Sequence, residues 1–505
     1  MVTVYASDTV MSRKTPSVDA PVLGAIDKSA GRIGEQLARM LRDAITRGEL
    51  KPGERLPSTR TLASSLDVAR GTVTDVFGQL VAEGYLEARV GAGTLVSQTW
   101  AEPEWRDRPT GFETTTPDDP VSLPPNIERY AAVVKAMSPL PPVPFSIAVP
   151  RGDVALDDTW RRLSNRVRAT QAAAPTTYGD PAGLRSLREA VADYVRKSRA
   201  VTCSADNVII MSGTQQGLYV SARVLLSHGD VAWAENPAYP GLTAVLDDAQ
   251  ANLFRVPVDS NGMDLTHAIA RFPVARAIFV TPSHQYPLGM PLSMARRAAL
   301  LRWARESSAW VIEDDYDSEL RYAGHPFPSM QGLDPARVIY LGTFSKVMAP
   351  SLRLGYAIVP PALVDAFIGA RALMDRHSPL ADQHVIAAFM RDGYFETHVR
   401  RIRGIYAERR ATLLAELQRQ IPAIEVQPSD QGMHVLAWLP AHIDDKQVEA
   451  AAAASGIAVR AISPMYDGPA PRPGLMLGFG GHSVEQLSVA VGRLRDVIEQ
   501  VARQR

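Results

Sequence analysis

Apolar residues along the chain fall into two regimes, separated by a stretch that has few of them. In the first regime Ile33, Leu37, Leu41 and Ile45 recur every four residues between charged positions, which predicts an amphipathic helix stopped by Gly48. Lys51-Pro52-Gly53-Glu54-Arg55-Leu56-Pro57-Ser58 reads as a turn whose serine caps a short second helix carrying Leu62, Ala63 and Leu66. A third helix is expected from about Arg70 to Glu83, with Val73, Phe77 and Leu80 inward and Gly84 as its stop. Tyr85–Arg89 and Thr94–Val96 then flank Val90-Gly91-Ala92-Gly93, a hairpin with glycines in its turn. Two short helices joined by a tight turn and followed by such a hairpin make a winged helix-turn-helix, a shape that binds protein as well as DNA.

The second regime has a different rhythm. Strand-like runs at 208–211, 230–234, 277–281, 310–313, 338–341 and 354–359 alternate with helical stretches such as 183–197. That alternation predicts an α/β domain whose central sheet is mostly parallel and covered on both faces. Beyond about residue 380 a smaller α+β lobe is expected, helical at 400–420 and 444–455, with strands near 433–438 and 475–479. Residues 99–128 lie between the regimes, with seven acidic residues, two basic ones and six prolines, and read as a linker. As a flexible coil, such a length spans about 30 Å root-mean-square. The expected organisation is therefore a tail at 1–27, the winged helix at 28–98, the linker at 99–128 and a large domain at 129–505, its small lobe running from about 381.

Composition narrows the class. Apolar residues make up 46% of the chain, yet no apolar stretch approaches the ~20 residues that cross a membrane. The first thirty residues lack a signal-like apolar core, and Cys203 is the only cysteine, so a cytoplasmic protein without an intramolecular disulfide is expected. The 54 basic residues equal the 54 acidic ones, so a nucleic-acid partner has to be argued locally. Within 28–98 ten Lys/Arg face eight Asp/Glu, a modest excess that calls for two copies to bind DNA tightly. At the amino end of the third helix Arg70, Thr72 and Thr74 are the candidates for base edges in a major groove. Ser58 and Arg60 could hold phosphates, and Arg89 with the turn at Gly91 could touch the neighbouring backbone or minor groove.

The candidate chemistry of the large domain gathers at predicted strand ends. Val338-Ile339-Tyr340-Leu341 closes in Gly342 and leads to Thr343-Phe344-Ser345-Lys346, with Arg353 seven residues further on. Open α/β sheets bind ligands at that edge, and an amine held there loses its proton more easily than a surface lysine and can attack an aldehyde. Thr343, Ser345 and Arg353 suit a phosphate, and aldehyde plus phosphate describes pyridoxal 5'-phosphate. Taken alone, the segment fits a solvated lysine equally well. Two further runs bear on the choice. Val208–Met211 leads into Ser212-Gly213-Thr214-Gln215, whose small residues would open a helix toward an anion, and Trp310-Val311-Ile312 ends in Glu313-Asp314-Asp315-Tyr316-Asp317. A carboxylate beside a pyridine nitrogen keeps it protonated and makes the ring an electron sink. His284 lacks partners at zinc-ligand spacing.

These segments resemble the site of fold-type-I aminotransferases. By that likeness Lys346 is the lysine that condenses with the cofactor, Asp314 the partner of the ring nitrogen, Tyr316 that of the ring hydroxyl, and Tyr239, in Glu235-Asn236-Pro237-Ala238-Tyr239, the stacked aromatic. Pro52-Gly53, Leu56-Pro57-Ser58, Arg60, Leu62-Ala63, Val68, Arg70, Thr72-Val73, Glu83-Gly84-Tyr85-Leu86 and Gly91-Ala92-Gly93-Thr94 resemble the winged helix of GntR-type bacterial regulators. The two halves in this order look like the MocR/GabR subfamily of transcriptional regulators. That resemblance implies a head-to-tail homodimer on double-stranded DNA, responding to pyridoxal phosphate or an amine. It also implies that Tyr178 reaches the neighbouring subunit's phosphate.

The chain departs from the pattern at three places. His284-Gln285-Tyr286 stands where aminotransferases carry an asparagine facing the ring hydroxyl, and Met476 where an arginine grips the substrate carboxylate. Gly241 stands where the GABA-responsive member has an arginine. A bidentate arginine contact is worth about 1.5 to 3 kcal/mol, so its loss weighs against an ordinary α-amino acid as ligand and against a working aminotransferase, the alternative reading. Arg460 is the residue that could compensate.

Overall fold

The computed structural model describes residues 25–101, 124, 126–147, 150, 156–173 and 175–503, which fall into two units divided between Leu123 and Pro124. Most of the expected tail and of the expected linker lies outside the described residues.

In the first unit the four-residue rhythm becomes α1 (Ile33–Thr46), followed by α2 (Thr59–Ser65) and α3 (Arg70–Ala82). Leu37, Leu41, Leu62, Val73 and Leu80 are fully buried where the three helices meet. Ser58 caps α2 by accepting from the Thr61 N–H at 3.1 Å. Strands β1 (Leu86–Arg89) and β2 (Gly93–Val96) pair antiparallel, Leu86 opposite Val96 and Arg89 opposite Gly93. Their turn needs glycine, because Gly91 and Gly93 sit at φ of 80° and 86°, where a Cβ is strained.

The second unit carries twelve more strands: β3 (Val208–Met211), β4 (Val231–Asn236), β5 (Asn252–Asp259), β6 (Gly262–Met263), β7 (Ala277–Val280), β8 (Trp310–Asp315), β9 (Val338–Thr343), β10 (Gly355–Ile358), β11 (Glu425–Val426), β12 (His434–Trp438), β13 (Arg460–Ala461) and β14 (Gly474–Gly478). The larger sheet has the order β3-β10-β9-β8-β7-β4-β5-β6. Parallel pairing runs from β9 through β8, β7 and β4 to β5, while β10 is antiparallel to both β3 and β9. Strands β3, β7 and β9 are buried throughout, as their unbroken apolar runs require of a sheet covered on both faces. Strand β5 was not among the expected runs. It lies beside the short edge strand β6, and its mixed residues leave only Val256 buried, so no apolar run marks it.

The smaller sheet, β11-β12-β14-β13, is antiparallel and packs against the helices Tyr394–Gln420 and Val484–Arg503. Its boundary is not a single point near 381. Fully buried Phe145 bridges to Gly478, whose N–H donates to the Phe145 carbonyl at 2.8 Å, so an early segment completes the late lobe. The helix Ile127–Ala136 starts inside the expected linker.

Candidate functional site

The carboxyl ends of β8 and β9, the loop after β3 and the start of the helix Pro240–Asp248 enclose a cavity of about 310 Å³. Gly213, Thr214, Gln215 and Tyr239 line it, as do Asp314, Tyr316, Thr343, Ser345, Lys346 and Arg353. Ten of the eleven expected cofactor residues thus share one space. Tyr178 is the exception. It is 73% exposed, with the Arg376 guanidinium 4.2 Å above its ring, and does not line the cavity of its own chain.

One end of the cavity is built for an anion. Gly213 caps the helix Thr214–Leu225 with φ 99°, and a Cβ there would meet the Arg353 guanidinium at 3.4 Å. Arg353 is anchored by donating to the Ser212 carbonyl at 2.6 Å, which sets its guanidinium over the helix start. Free N–H groups and the helix dipole make that start a place for phosphate oxygens. Thr343 Oγ1 accepts from the Ser345 N–H at 3.1 Å, which folds the loop after β9 back toward the cavity.

At the other end stand an amine and a carboxyl group. Burial pushes the Lys346 amine below its ordinary pKa, against the opposing pull of Asp317 and Asp314. Burial likewise pushes the Asp314 carboxyl up to about 7, with Asp315 adding to it. Asp314 Oδ1 is buried and accepts no hydrogen bond from the described residues. A buried carboxylate oxygen without a donor is costly, and a protonated ring nitrogen would relieve it. Tyr316 Oη and Asp317 Oδ2 lie 3.0 and 2.9 Å from His284 Nδ1. In the tautomer with the ring proton on Nδ1, donated to the Asp317 carboxylate, the Tyr316 hydroxyl is free to donate into the cavity.

The walls account for the departures. Tyr239 and Tyr286 meet edge to face at 5.6 Å, and both face the cavity. Gln285 is spent on backbone, donating to the Pro237 carbonyl and accepting from Leu288 N–H, and His284 is buried behind Tyr316. Of the three residues at the asparagine position, Tyr286 is therefore the one that reaches the space. A Cβ on Gly241 would meet the Tyr239 ring at 2.4 Å and Gln215 Oε1 at 2.5 Å, so this chain has no room for a side chain there. Met476 is fully buried against Leu288, Leu436 and Ile462 and does not line the cavity.

Groups at the cavity that no sequence motif marks include His434, the segment Met137–Leu140 and, as a placed residue, Arg460. His434 Nε2 lies 3.2 Å from the Pro287 carbonyl, and burial together with His284 pushes its pKa down to about 3. It is a neutral imidazole with Nδ1 as its remaining acceptor. No local pattern singled it out, since it reads as one more residue of β12. Among the described residues no cluster suited to a metal exists.

These residues fit pyridoxal phosphate: a glycine-walled helix start with Arg353 for the phosphate, Lys346 for the aldehyde, Asp314 Oδ1 for the ring nitrogen and Tyr239 for the ring face.

On the first unit, Ser58, Arg60, Arg70, Thr74, Arg89 and Gly91 are exposed, and Arg60 and Arg70 make no ion pair among the described residues. Thr72 is half-buried and turns its methyl toward α1, 3.6 Å from where a Cβ on Gly34 would lie. The outward face of α3 carries Arg70, Gly71, Thr74, Asp75 and Gly78 instead. The Thr74 hydroxyl donates to the Arg70 carbonyl at 3.0 Å, and Arg89 pairs with Glu87 at 3.0 Å. Arg55, outside the expected set, is exposed and lies along the wing, its Nε 3.1 Å from where a Cβ on Gly93 would lie.

Residues 144–494 match the family described as aminotransferase class I and II, and residues 33–96 match bacterial regulatory proteins of the gntR family. A protein named as a probable rhizopine catabolism regulator, MocR, of Rhizobium meliloti is 36% identical over 462 residues, covering 91% of this chain and 92% of that protein. The pyridoxine biosynthesis regulator PdxR of Corynebacterium glutamicum is 31% identical, covering 92% and 96%. The kynurenine aminotransferase of Pyrococcus horikoshii superposes with a TM-score of 0.66 at 25% identity, over 74% of this chain and 94% of that one. Fold and site together define a winged-helix regulator joined to an aminotransferase-type domain. The chain belongs to the MocR/GabR type of GntR transcriptional regulators.

Proposed function

We propose that this transcriptional regulator holds pyridoxal phosphate at Lys346 and that cofactor occupancy, alone or combined with an amine effector, changes its fit to an operator. The observation that carries the reading is the pairing within one cavity of a lysine amine, lowered in pKa by burial, with a buried carboxylate oxygen that has no donor among the described residues. When bound, the cofactor supplies an aldehyde for amine capture and an electron-withdrawing ring. The chain's residues do the rest. Arg353 and the amides at Thr214 and Gln215 hold the phosphate, Tyr239 covers a ring face, Asp314 holds a proton on the ring nitrogen, and Tyr316 donates to the ring hydroxyl. The Pyrococcus horikoshii enzyme, solved with PMP, supports this choice of cofactor.

Arg70 and the outward face of α3 enter a major groove, while Arg60, Arg55 and Arg89 meet phosphates. A head-to-tail homodimer fits the outward placement of Tyr178, which leaves it available to a second copy. A cytoplasmic location follows from the DNA partner, and among the described residues no helix is long and apolar enough to cross a membrane. Ligand control requires only that the two DNA-binding states take the ligand unequally.

The test is to footprint the full chain on DNA upstream of its own gene, with and without pyridoxal phosphate and candidate amines, while following visible absorbance. A coloured complex, absent in Lys346→Ala, with altered protection is expected; a colourless chain indifferent to the vitamer would end the reading. The joint presence of Lys346, Asp314 and Tyr316 favours a second reading, a working aminotransferase. Turnover of an amino donor and a keto acid would establish it, against the evident loss of the substrate arginine at Met476.

A further inference from the structure

Among the described residues Lys346, Arg353 and Arg460 are the three side-chain cations that line the cavity, and the proposed function uses only two of them. Arg460 lies on β13, half-buried, and its guanidinium makes no ion pair among the described residues. Its single polar contact there is long, from Nη2 to the Ser138 carbonyl at 3.5 Å. A carbonyl at that distance leaves most of the donor fork unused.

Its position in the sheet gives that fork a purpose. Arg460 is the register partner of Met476 on the antiparallel neighbour β14, so the two side chains share one sheet face. Met476 is sealed into an apolar cluster with Leu288, Leu436 and Ile462. Arg460, one strand nearer the sheet edge, reaches the open space. Its positive charge is felt at both Tyr239 and Tyr286, the aromatic pair on the cavity wall. Arg353 belongs to the phosphate end beside Gly213, and Lys346 faces Asp314 and Asp317. Arg460 is therefore the cation left for a ligand's own anionic group.

Resting on the proposed cofactor site, we propose that Arg460 is the specificity residue of the effector pocket, binding the carboxylate of an amine whose nitrogen is directed at the cofactor aldehyde. The carboxylate replaces the Ser138 carbonyl on the guanidinium and adds a second, parallel N–H···O contact. Because Ser138 belongs to the segment Met137–Leu140 that follows the helix Ile127–Ala136, the ligand and the chain entering the large unit compete for one side chain.

The full chain loaded with pyridoxal phosphate is titrated with β-alanine against n-propylamine, and with 4-aminobutyrate against n-butylamine, reading half-saturation from the visible absorbance. In Arg460→Gln the preference for the carboxylate member of a pair should fall on the order of tenfold or more, while the uncharged amines and the cofactor band stay unchanged. Arg460→Lys should keep part of the preference, because charge without the fork remains. The same carboxylate-to-amine ratio in wild-type protein and Arg460→Gln overturns the assignment. A wild-type chain that never colours with pyridoxal phosphate overturns the cofactor reading itself, a failure seen before any amine is added.

Discussion

The two units treat positive charge in opposite ways. In the winged helix the cations proposed to meet DNA stand in water: Arg60 and Arg70 are exposed and unpaired among the described residues, over a small core of α1, α2 and α3. In the large unit several arginines are taken out of water and held by the protein. Arg199 pairs with Asp315 at 2.9 Å and donates to Ser283 Oγ and the Phe327 carbonyl, while fully buried Arg297 donates to the carbonyls of Leu292, Pro328 and Pro282. An exposed cation is inexpensive to keep and meets a polyanion whose grip fades with salt. A buried one has fixed geometry, and losing a partner leaves an uncompensated charge.

That contrast breaks most visibly at Arg199. Arg199→Ala strips Asp315 of its counter-charge beside Glu313 and Glu319, and should destabilise the large unit by about 3 to 5 kcal/mol in urea unfolding. A loss under about 1 kcal/mol would mean the pair is solvated rather than buried.

A buried acid offers the next test. Glu235 accepts from the Thr281 hydroxyl at 2.6 Å and from its N–H at 3.1 Å, yet burial pushes its pKa from 4.5 up to about 7. Because the folded value lies above the unfolded one, the folded state binds more protons between those pH values. The contribution is complete below about pH 4.5 and is lost as pH rises to about 7, on the order of 3 kcal/mol in all. Melting temperature measured across that window should fall less steeply with pH in Glu235→Gln than in the wild-type protein; parallel curves would locate the titration elsewhere.

For the exposed cations the expected effects are smaller and functional. Arg70→Ala should weaken operator binding by about 1 to 3 kcal/mol and leave both stability and the cofactor band intact. Equal operator affinity would remove Arg70 from the interface. Least of all, Arg42→Ala, which breaks the two-pronged contact with Glu83 at 2.7 and 2.8 Å between α1 and the end of α3, should cost at most about 1 kcal/mol. Thermal melts of the full chain would read it as a shift confined to the winged-helix transition.

How much of this was legible beforehand depended on distance along the chain. Strands β3 and β9 begin in unbroken apolar runs and β8 in the shorter run Trp310–Ile312, so their ends, and with them Gly213, Asp314 and Lys346, are marked by local sequence. Strand β5, next to the edge strand β6, has no such run to mark it. On α3 the helical period separated inside from outside, but only the packing of α1 at Gly34 drew Thr72 inward, and only the bridge between Arg55 and Leu95 brought a further cation to the wing.

By itself, then, the sequence determined the two-part architecture, the winged helix and the strand-end motifs, because each is written in residues a few positions apart and obeys a local period. The tertiary structure alone decided that His434, Arg460 and Met137–Leu140 wall the same cavity as Lys346, and that Met476 is sealed away from it. Those groups lie roughly 90 to 200 residues from the lysine in the chain. Sheet register and lobe packing brought them together, and no local pattern records which face a distant strand will present.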